Sequence, residues 1–387
     1  MANTLTFNQI ATILNSVNQQ ATGRTGIAVT NTSEFVSVAN TTLLSGYDNV
    51  INAISQVLSR TIFSIRPYNR KFSGLFMDEI QFGSHVRKLT AVDSDAQNDT
   101  SKTLADETYD MYRVNKKQVL QTNFYGANVY KRWVTIYRHQ LKEAFSGPDQ
   151  FGSFISMILQ NVSDQIEQDH ESLARMTVAN FIGGKIAAKS NVIKLVTEYN
   201  TATGLELTSD TVKKPENFVP FMKWAWARIK TVSDMMTERS EYFHINVEGK
   251  PVSRHTPKER QKMYMYAAEV NNMEASVLSS VFHDNYLRGV EFETVNFWQS
   301  IGTPMGIQIK PSYMKPDGTV AVAEEDITQN NVFGVLFDEE AMGITTIDQW
   351  TSTTPFNSDG GYSNTFWHFT DRYYNDFTEN GVVFLLE

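Results

Sequence analysis

Glu167 and His170 stand three residues apart in "IEQDHESLAR", residues 166–175, and the same Glu-x-x-His spacing returns at Glu241 and His244. On helices, two such pairs, each with a further Glu, build the carboxylate-bridged di-iron centre of a four-helix bundle, so an oxidase would follow if both pairs were helical. The first pair meets the condition. From the Gly147-Pro148-Asp149 start signal to the Gly183-Gly184 stop no further proline intervenes, which predicts one helix of roughly 50 Å. Phe151, Ile155, Ile158, Val162, Ile166, Leu173 and Met176 fall on its apolar stripe, with Asp164, Glu167 and Glu171 on the opposite, water-facing side. His170 sits at the edge of the stripe, while Asp169 interrupts it and calls for an Arg or Lys from another element. The second pair fails. "EYFHINVEGKP" alternates with period two and ends on Gly and Pro, so it reads as a strand that puts Glu241 and His244 on opposite faces. The two pairs do not share a bundle, and neither a metal nor a cofactor is expected.

Other catalytic spellings fail by inspection. His170-Glu171 continues to Ala174 where a zincin needs His, Gly184-Lys185 continues to Ile186 where a phosphate loop needs Ser or Thr, and no Gly-x-Ser-x-Gly elbow occurs. No catalytic residue is assigned and no enzyme is expected. The chain has no cysteine, which excludes a disulfide framework, thiol chemistry and cysteine-ligated metal. Its formal charge is -9, whereas gripping a duplex needs clustered Lys and Arg, so any relation to nucleic acid would be containment. The opening "MANTLTFNQIATILNSVNQQ" lacks the basic flank and unbroken apolar run of a signal peptide, and no stretch is apolar for long enough to span a membrane. A soluble product of a reducing cytosol is expected.

The 387 residues are long for one domain, and their patterns change along the chain. Residues 1–46 are rich in Thr, Asn, Ser and Gln, with one amphipathic patch at Phe7, Ile10, Leu14 and Val17; the rest has no core of its own and reads either as an arm that orders across a neighbouring subunit or as a loose tail. A short helix follows, with Val50, Ile54, Val57 and Leu58 on one face, ending near Pro67. Residues 74–137 read as one long hairpin whose arms, roughly 15 to 20 residues at about 3.3 Å each, would project roughly 50 Å. Its charges are segregated: Asp93, Asp95, Asp99, Asp106, Glu107 and Asp110 precede Arg113, Lys116, Lys117, Lys131 and Arg132. Asp106, Glu107, Asp110, Arg113, Lys116 and Lys117 are the candidates for contact with an adjacent subunit through complementary charge, the alternative being two solvated strands with a floppy tip. Residues 191–360 mix the aromatic helix "FVPFMKWAWARIKTVSDMM" with strands "YFHINV", "KMYMY", "GIQIK" and "NVFGVLF", an α+β unit in which Trp224 and Trp226 belong to the core. The last segment, "YSNTFWHFTDRYYNDFTENGVVFLLE", reads as two strands around a polar turn.

In that order of elements, and in "NQIATILNSVNQQATG", "LLSGYDNVINAISQVLSRTIFSIRPYNRKF", "VFGVLFDEEAMG" and "NTFWHFTDRYYNDFTENGVVFLLE", the chain resembles major capsid proteins of tailed bacteriophages of the Hong Kong 97 type, over essentially its whole length. These segments look like their counterparts in shell proteins of tailed phages of gut and related Firmicute hosts. The resemblance implies an α+β fold divided into an N-terminal arm (1–46), a first helix (47–73) of a peripheral domain, an extended loop (74–137), a peripheral domain on a long spine helix (138–190), an axial domain (191–360) and terminal strands (361–387) that return to the peripheral domain. It implies self-assembly into pentamers and hexamers that close an icosahedral or prolate shell around double-stranded DNA, in the virion after assembly in the host cytoplasm, without a membrane. Portal, scaffolding and decoration proteins would be further partners. Some relatives crosslink a Lys to an Asn; Lys102 lies near the loop tip, and no partner pattern accompanies it. An encapsulin, which shares that fold and encloses an enzyme, is the nearer alternative, and a di-iron enzyme the remote one.

Overall fold

The computed structural model describes residues 7–23, 29–62, 71–77, 86–93, 116, 118–278 and 291–387. In chain order the elements begin with α1 (Phe7–Thr22), α2 (Thr32–Leu43), α3 (Tyr47–Ile62), β1 (Val86–Ala91), β2 (Val119–Phe124), β3 (Ala127–Tyr137), α4 (Arg138–Ala144) and α5 (Pro148–Ala188). They continue with β4 (Val192–Lys194), α6 (Leu195–Thr203), α7 (Pro215–Met235), β5 (Gln261–Tyr266), α8 (Ala267–Leu278) and β6 (Glu293–Val295). The remainder is β7 (Ile307–Ile309), β8 (Ser312–Met314), β9 (Val320–Val322), β10 (Ile327–Gln329), β11 (Val332–Asp338), β12 (Met342–Thr353), β13 (Tyr362–Asn375) and β14 (Gly381–Leu385). The chain divides into two compact units, one of residues 1–83, 127–173 and 345–372, the other of 84–126, 174–344 and 373–387.

In the first unit α1, α2 and α3 bury their apolar faces with the first half of α5. Ile10, Leu14 and Val17 of α1 and Phe35, Val38 and Ala39 of α2 join Val50 and Ile54 of α3 and Phe151, Ile155, Ile158, Val162 and Ile166 of α5 in one core. The N-terminal segment therefore does not lack a core: its described residues pack on their own chain. Composition concealed this, because the three buried apolar side chains of α2 stand among Thr, Ser and Asn, and its polar Thr42 is buried while donating to Asn18 Oδ1 at 3.0 Å. Gly152 lets α1 approach closely there: a Cβ would lie 2.5 Å from Ile10 Cδ1, and that side chain would have to shift. The order β12–β13–β3 makes a three-stranded sheet. Its Ile136, Trp367 and Phe369 belong to the same core.

That pairing corrects the single long hairpin. Among the described residues β1 and β2 pair antiparallel, Lys88 opposite Thr122, over six residues each, or roughly 20 Å. β3, expected as the continuation of the second arm, pairs instead with β13, Tyr137 opposite Tyr362 and Ala127 opposite Arg372. The break falls at Gly126, where a Cβ would lie 2.4 Å from the Tyr373 carbonyl oxygen.

In the second unit a five-stranded sheet runs β4–β14–β11–β5–β6. β14 is antiparallel to β11 and parallel to β4. β11 and β14 are buried at every position, so they read as continuous apolar runs without alternation. Tyr199 of α6 and Phe221, Trp226 and Ile229 of α7 pack with Met263, Met265, Phe333, Leu336 and Phe384 of the sheet. Trp226 is core as expected, and Trp224 packs against its margin. The strand β14 thus belongs to the sheet of residues 191–344, which corrects the assignment of all of 361–387 to the unit built on the first half of α5. Residues 241–246 form bends and irregular chain between the Ser240–Arg254 bridge and a short 3₁₀ turn, which corrects the strand expected over Glu241 and His244. Finally, α5 passes through Gly183 and Gly184 to Ala188, 41 residues and roughly 60 Å. The two glycines serve close packing instead of stopping the helix: a Cβ would meet Ile309 at 2.7 Å from Gly183 and Phe377 at 2.4 Å from Gly184.

Candidate assembly surfaces

Of the residues that could have held iron, His170 faces the sheet, Glu171 binds backbone and Glu167 is buried. Glu167, His170 and Glu171 are 7%, 6% and 6% exposed, so the expectation that the glutamates face water is corrected. α5 is covered on both flanks here, by helices on the apolar side and by polar partners on the other. Glu171 accepts the Lys71 backbone N–H at 2.8 Å. His170 Nε2 lies 3.4 Å from Asp371 Oδ2 of β13, and that fully buried carboxylate also accepts from Tyr130 at 3.0 Å and Thr346 at 2.9 Å. Burial first, then the Asp371 charge, pushes the Tyr130 hydroxyl far up, so it remains a donor. Asp169 finds the cation its position called for: Arg132 of β3 grips it with two parallel bonds, of 2.7 and 2.5 Å. The bond to Asp169 raises the guanidinium pKa further. Met176, expected on the apolar stripe, is exposed.

Among the described residues no group of three or more His, Asp or Glu could hold a metal ion. His244 is buried in the other unit, its ring nitrogens within 2.7 Å of the Val252 carbonyl, 3.1 Å of Asn380 Oδ1 and 3.2 Å of Asn246 Oδ1, while Glu241 accepts from Asn246. Burial, the largest influence, lowers the His244 pKa.

Of the charges proposed to touch a neighbour, Lys116 is described and exposed, whereas Asp106, Glu107, Asp110, Arg113 and Lys117 lie outside the described residues. A surface that sequence reasoning missed lies on the β12–β13–β3 sheet. Along β3 the inward set Tyr130, Arg132, Val134 and Ile136 alternates with the outward set Val129, Lys131, Trp133 and Tyr137. Outward positions of a half-solvated sheet are ordinarily polar. Here Val129 is 74%, Trp133 59%, Trp350 49% and Tyr137 39% exposed. Trp133 stands opposite Phe366, Lys131 opposite His368, and the His368 ring stacks on Trp350 with centroids 3.7 Å apart. The signal was present in "NVYKRWVTIY", where both alternating sets carry aromatic residues.

The family model described as Phi29-like phage major capsid protein matches residues 10–385. The chain belongs to this family. Among solved structures it is similar to the capsid of Staphylococcus phage Andhra, with 9% identity and a TM-score of 0.55 over 82% of this chain and 84% of that one. It is also similar to a chain in the structure of head fiber and inner core protein gp22 of native bacteriophage P68, with 9% identity and a TM-score of 0.53 over 82% and 85%. At such identity the likeness shows the fold. No curated protein matches the chain. As a Phi29-like major capsid protein it is a shell-forming component of the virion, and its principal partner is itself.

Proposed function

We propose that this capsid protein builds a shell of the Hong Kong 97 type, in which pentamers and hexamers enclose the double-stranded DNA of a tailed phage. The observation that carries the reading is the architecture around α5: a helix of 41 residues shared by a helical core with a three-stranded sheet and a unit with a five-stranded sheet. In this reading the α5 core with β3 and β13 is the peripheral domain, the five-stranded unit the axial domain, and the region around β1 and β2 the extended loop. The role is structural, with no reaction catalysed. Contacts would be heterologous, since different patches meeting head to tail close into rings where two-fold patches stop at dimers. An acidic container, at -9 per chain, also avoids gripping its polyanionic contents. The wording of the four segments quoted above supports a Firmicute host, and a phage shell of this kind would be assembled in the host cytoplasm with portal, scaffolding and decoration proteins as further partners.

Electron microscopy of the expressed protein tests the reading. Closed shells, capsomers or tubes are expected, and packaged DNA in lysate particles, rather than a copurifying enzyme, separates a phage shell from an encapsulin. A stable monomer at micromolar concentration and physiological salt overturns it.

A further inference from the structure

Tyr125 after β2, Met176 of α5 and Val320 of β9 are 66%, 54% and 73% exposed, and all three lie on one open cleft of about 610 Å³ within the second unit. That volume, with a lining that is largely apolar and aromatic, belongs to the class of clefts that hold small molecules. The walls are fixed before anything binds. Asn180 of α5 exchanges two hydrogen bonds with the Ser312 backbone of β8, at 3.0 and 3.1 Å, and Asn375 at the end of β13 donates to the Thr177 carbonyl of α5 at 3.0 Å. The Phe124 ring of β2 lies 5.1 Å from the ring of Tyr374. A guest therefore meets a surface that needs little further ordering.

The charges on the lining select the guest. Among the described residues the lining has one carboxylate, Asp376, and one ammonium, Lys310. Asp376 is 2% exposed and already accepts from Lys88 at 2.8 Å and from the Thr378 hydroxyl at 2.6 Å, so it offers nothing to a ligand. Lys310 is exposed, and no carboxylate of the described residues pairs with it. We propose that this cleft binds an amphipathic carboxylate of the fatty-acid class, its hydrocarbon chain along Tyr125, Met176 and Val320 and its head group on Lys310. The site goes beyond the shell reading and does not depend on it, because its described lining comes from one unit of a single chain. Burial of the chain supplies most of the affinity, and one exposed ion pair adds a modest preference for the acid. The acyl chains and head groups of an anionic bilayer offer the same chemistry, so the test separates the two sources.

The test titrates full-length subunits and assembled shells with the fluorescent acid dansylaminoundecanoate, then displaces it with decanoate, with its uncharged twin decanol, and with hexanoate. One saturable site per chain is expected in both preparations, with decanoate about threefold tighter than decanol and at least tenfold tighter than hexanoate. Lys310→Glu should remove the preference for the acid while leaving decanol within about twofold of the parent. Tyr125→Ala should weaken acid and alcohol alike by several-fold, with circular dichroism and urea midpoint unchanged; if that variant unfolds, Val320→Ser serves in its place. Equal affinity for decanoate and decanol in the parent overturns the carboxylate class. Absence of saturable binding, or binding that the wall variants leave intact, overturns the cleft. Binding to phosphatidylglycerol vesicles without binding of decanoate in solution overturns the free acid and points to a bilayer surface. Binding by subunits that is lost in shells overturns the site as well, and shows that a second copy covers the cleft.

Discussion

Lys185 occupies the last turn of α5 and is fully buried. Among the described residues its ammonium has one weak polar contact, the Phe243 carbonyl at 3.4 Å, and that oxygen already accepts the Gly381 N–H at 3.0 Å. The Phe181 ring lies 5.5 Å away. Burial lowers its pKa from 10.5 to about 7, against the opposing pull of Asp376. A difference of about 3.5 units at 1.36 kcal/mol each places the cost of the charged form at roughly 5 kcal/mol as an upper bound. The folded pKa lies below the unfolded one, so between about pH 7 and pH 10.5 the unfolded chain binds more protons. Stability should therefore climb as pH rises through that window, and below it the full penalty is present. Lys185→Met keeps the unbranched stem and removes the charge, so it should stabilise the subunit by roughly 2–4 kcal/mol at pH 7, with the gain shrinking toward zero near pH 10.5. Urea unfolding of dissociated subunits, parent against variant, at several pH values from 6 to 10 measures this. A gain independent of pH, or a variant less stable at pH 7, would refute the assignment of the buried charge.

Two further outcomes follow from contacts inside each unit. Glu171→Ala removes the acceptor of the part-buried Lys71 backbone N–H and should cost about 0.5–1.5 kcal/mol in urea unfolding, while His170→Ala empties space beside Asp371 and the Phe76 ring 5.4 Å away and should cost about 1–3 kcal/mol. Metal content by mass spectrometry should be the same in both variants as in the parent, and stoichiometric iron or zinc lost with either would restore the metal site. Gly184→Ala should destabilise by about 1–3 kcal/mol although alanine is the better helix former, because its Cβ meets the Phe377 ring at 2.4 Å. A raised melting temperature for that variant would mean the helix end is not packed as described.

Where local pattern and burial coincide, the sequence alone sufficed. The start of α5 at Pro148, the apolar stripe from Phe151 to Ile166, the buried run of β11 and the aromatic face of α7 follow from 3.6-residue or unbroken apolar spacing, and each of these segments buries what its spacing says it should. The wording of four segments also pointed to tailed-phage capsid proteins, and the family match over residues 10–385 agrees. Asp169 announced its need for a cation because a carboxylate in an apolar stripe must be paired. That the cation is Arg132 depends on which strand lies over the helix.

The rest required the tertiary structure, because it concerns which elements lie side by side. Gly183 and Gly184 spell a helix stop until Ile309 and Phe377 are found against them, and only then does a missing Cβ mean close approach. Glu167 and Glu171 look solvated on a lone helix and are buried once a second layer covers that flank. The polar Thr-Ser-Asn segment of α2 hides a core helix whose few apolar side chains suffice when α1, α3 and α5 supply the other walls. Alternation in β3 likewise sets two faces without naming the inner one, because period two is symmetric until a partner strand, here β13, brings one face onto the core and leaves Trp133 in solvent.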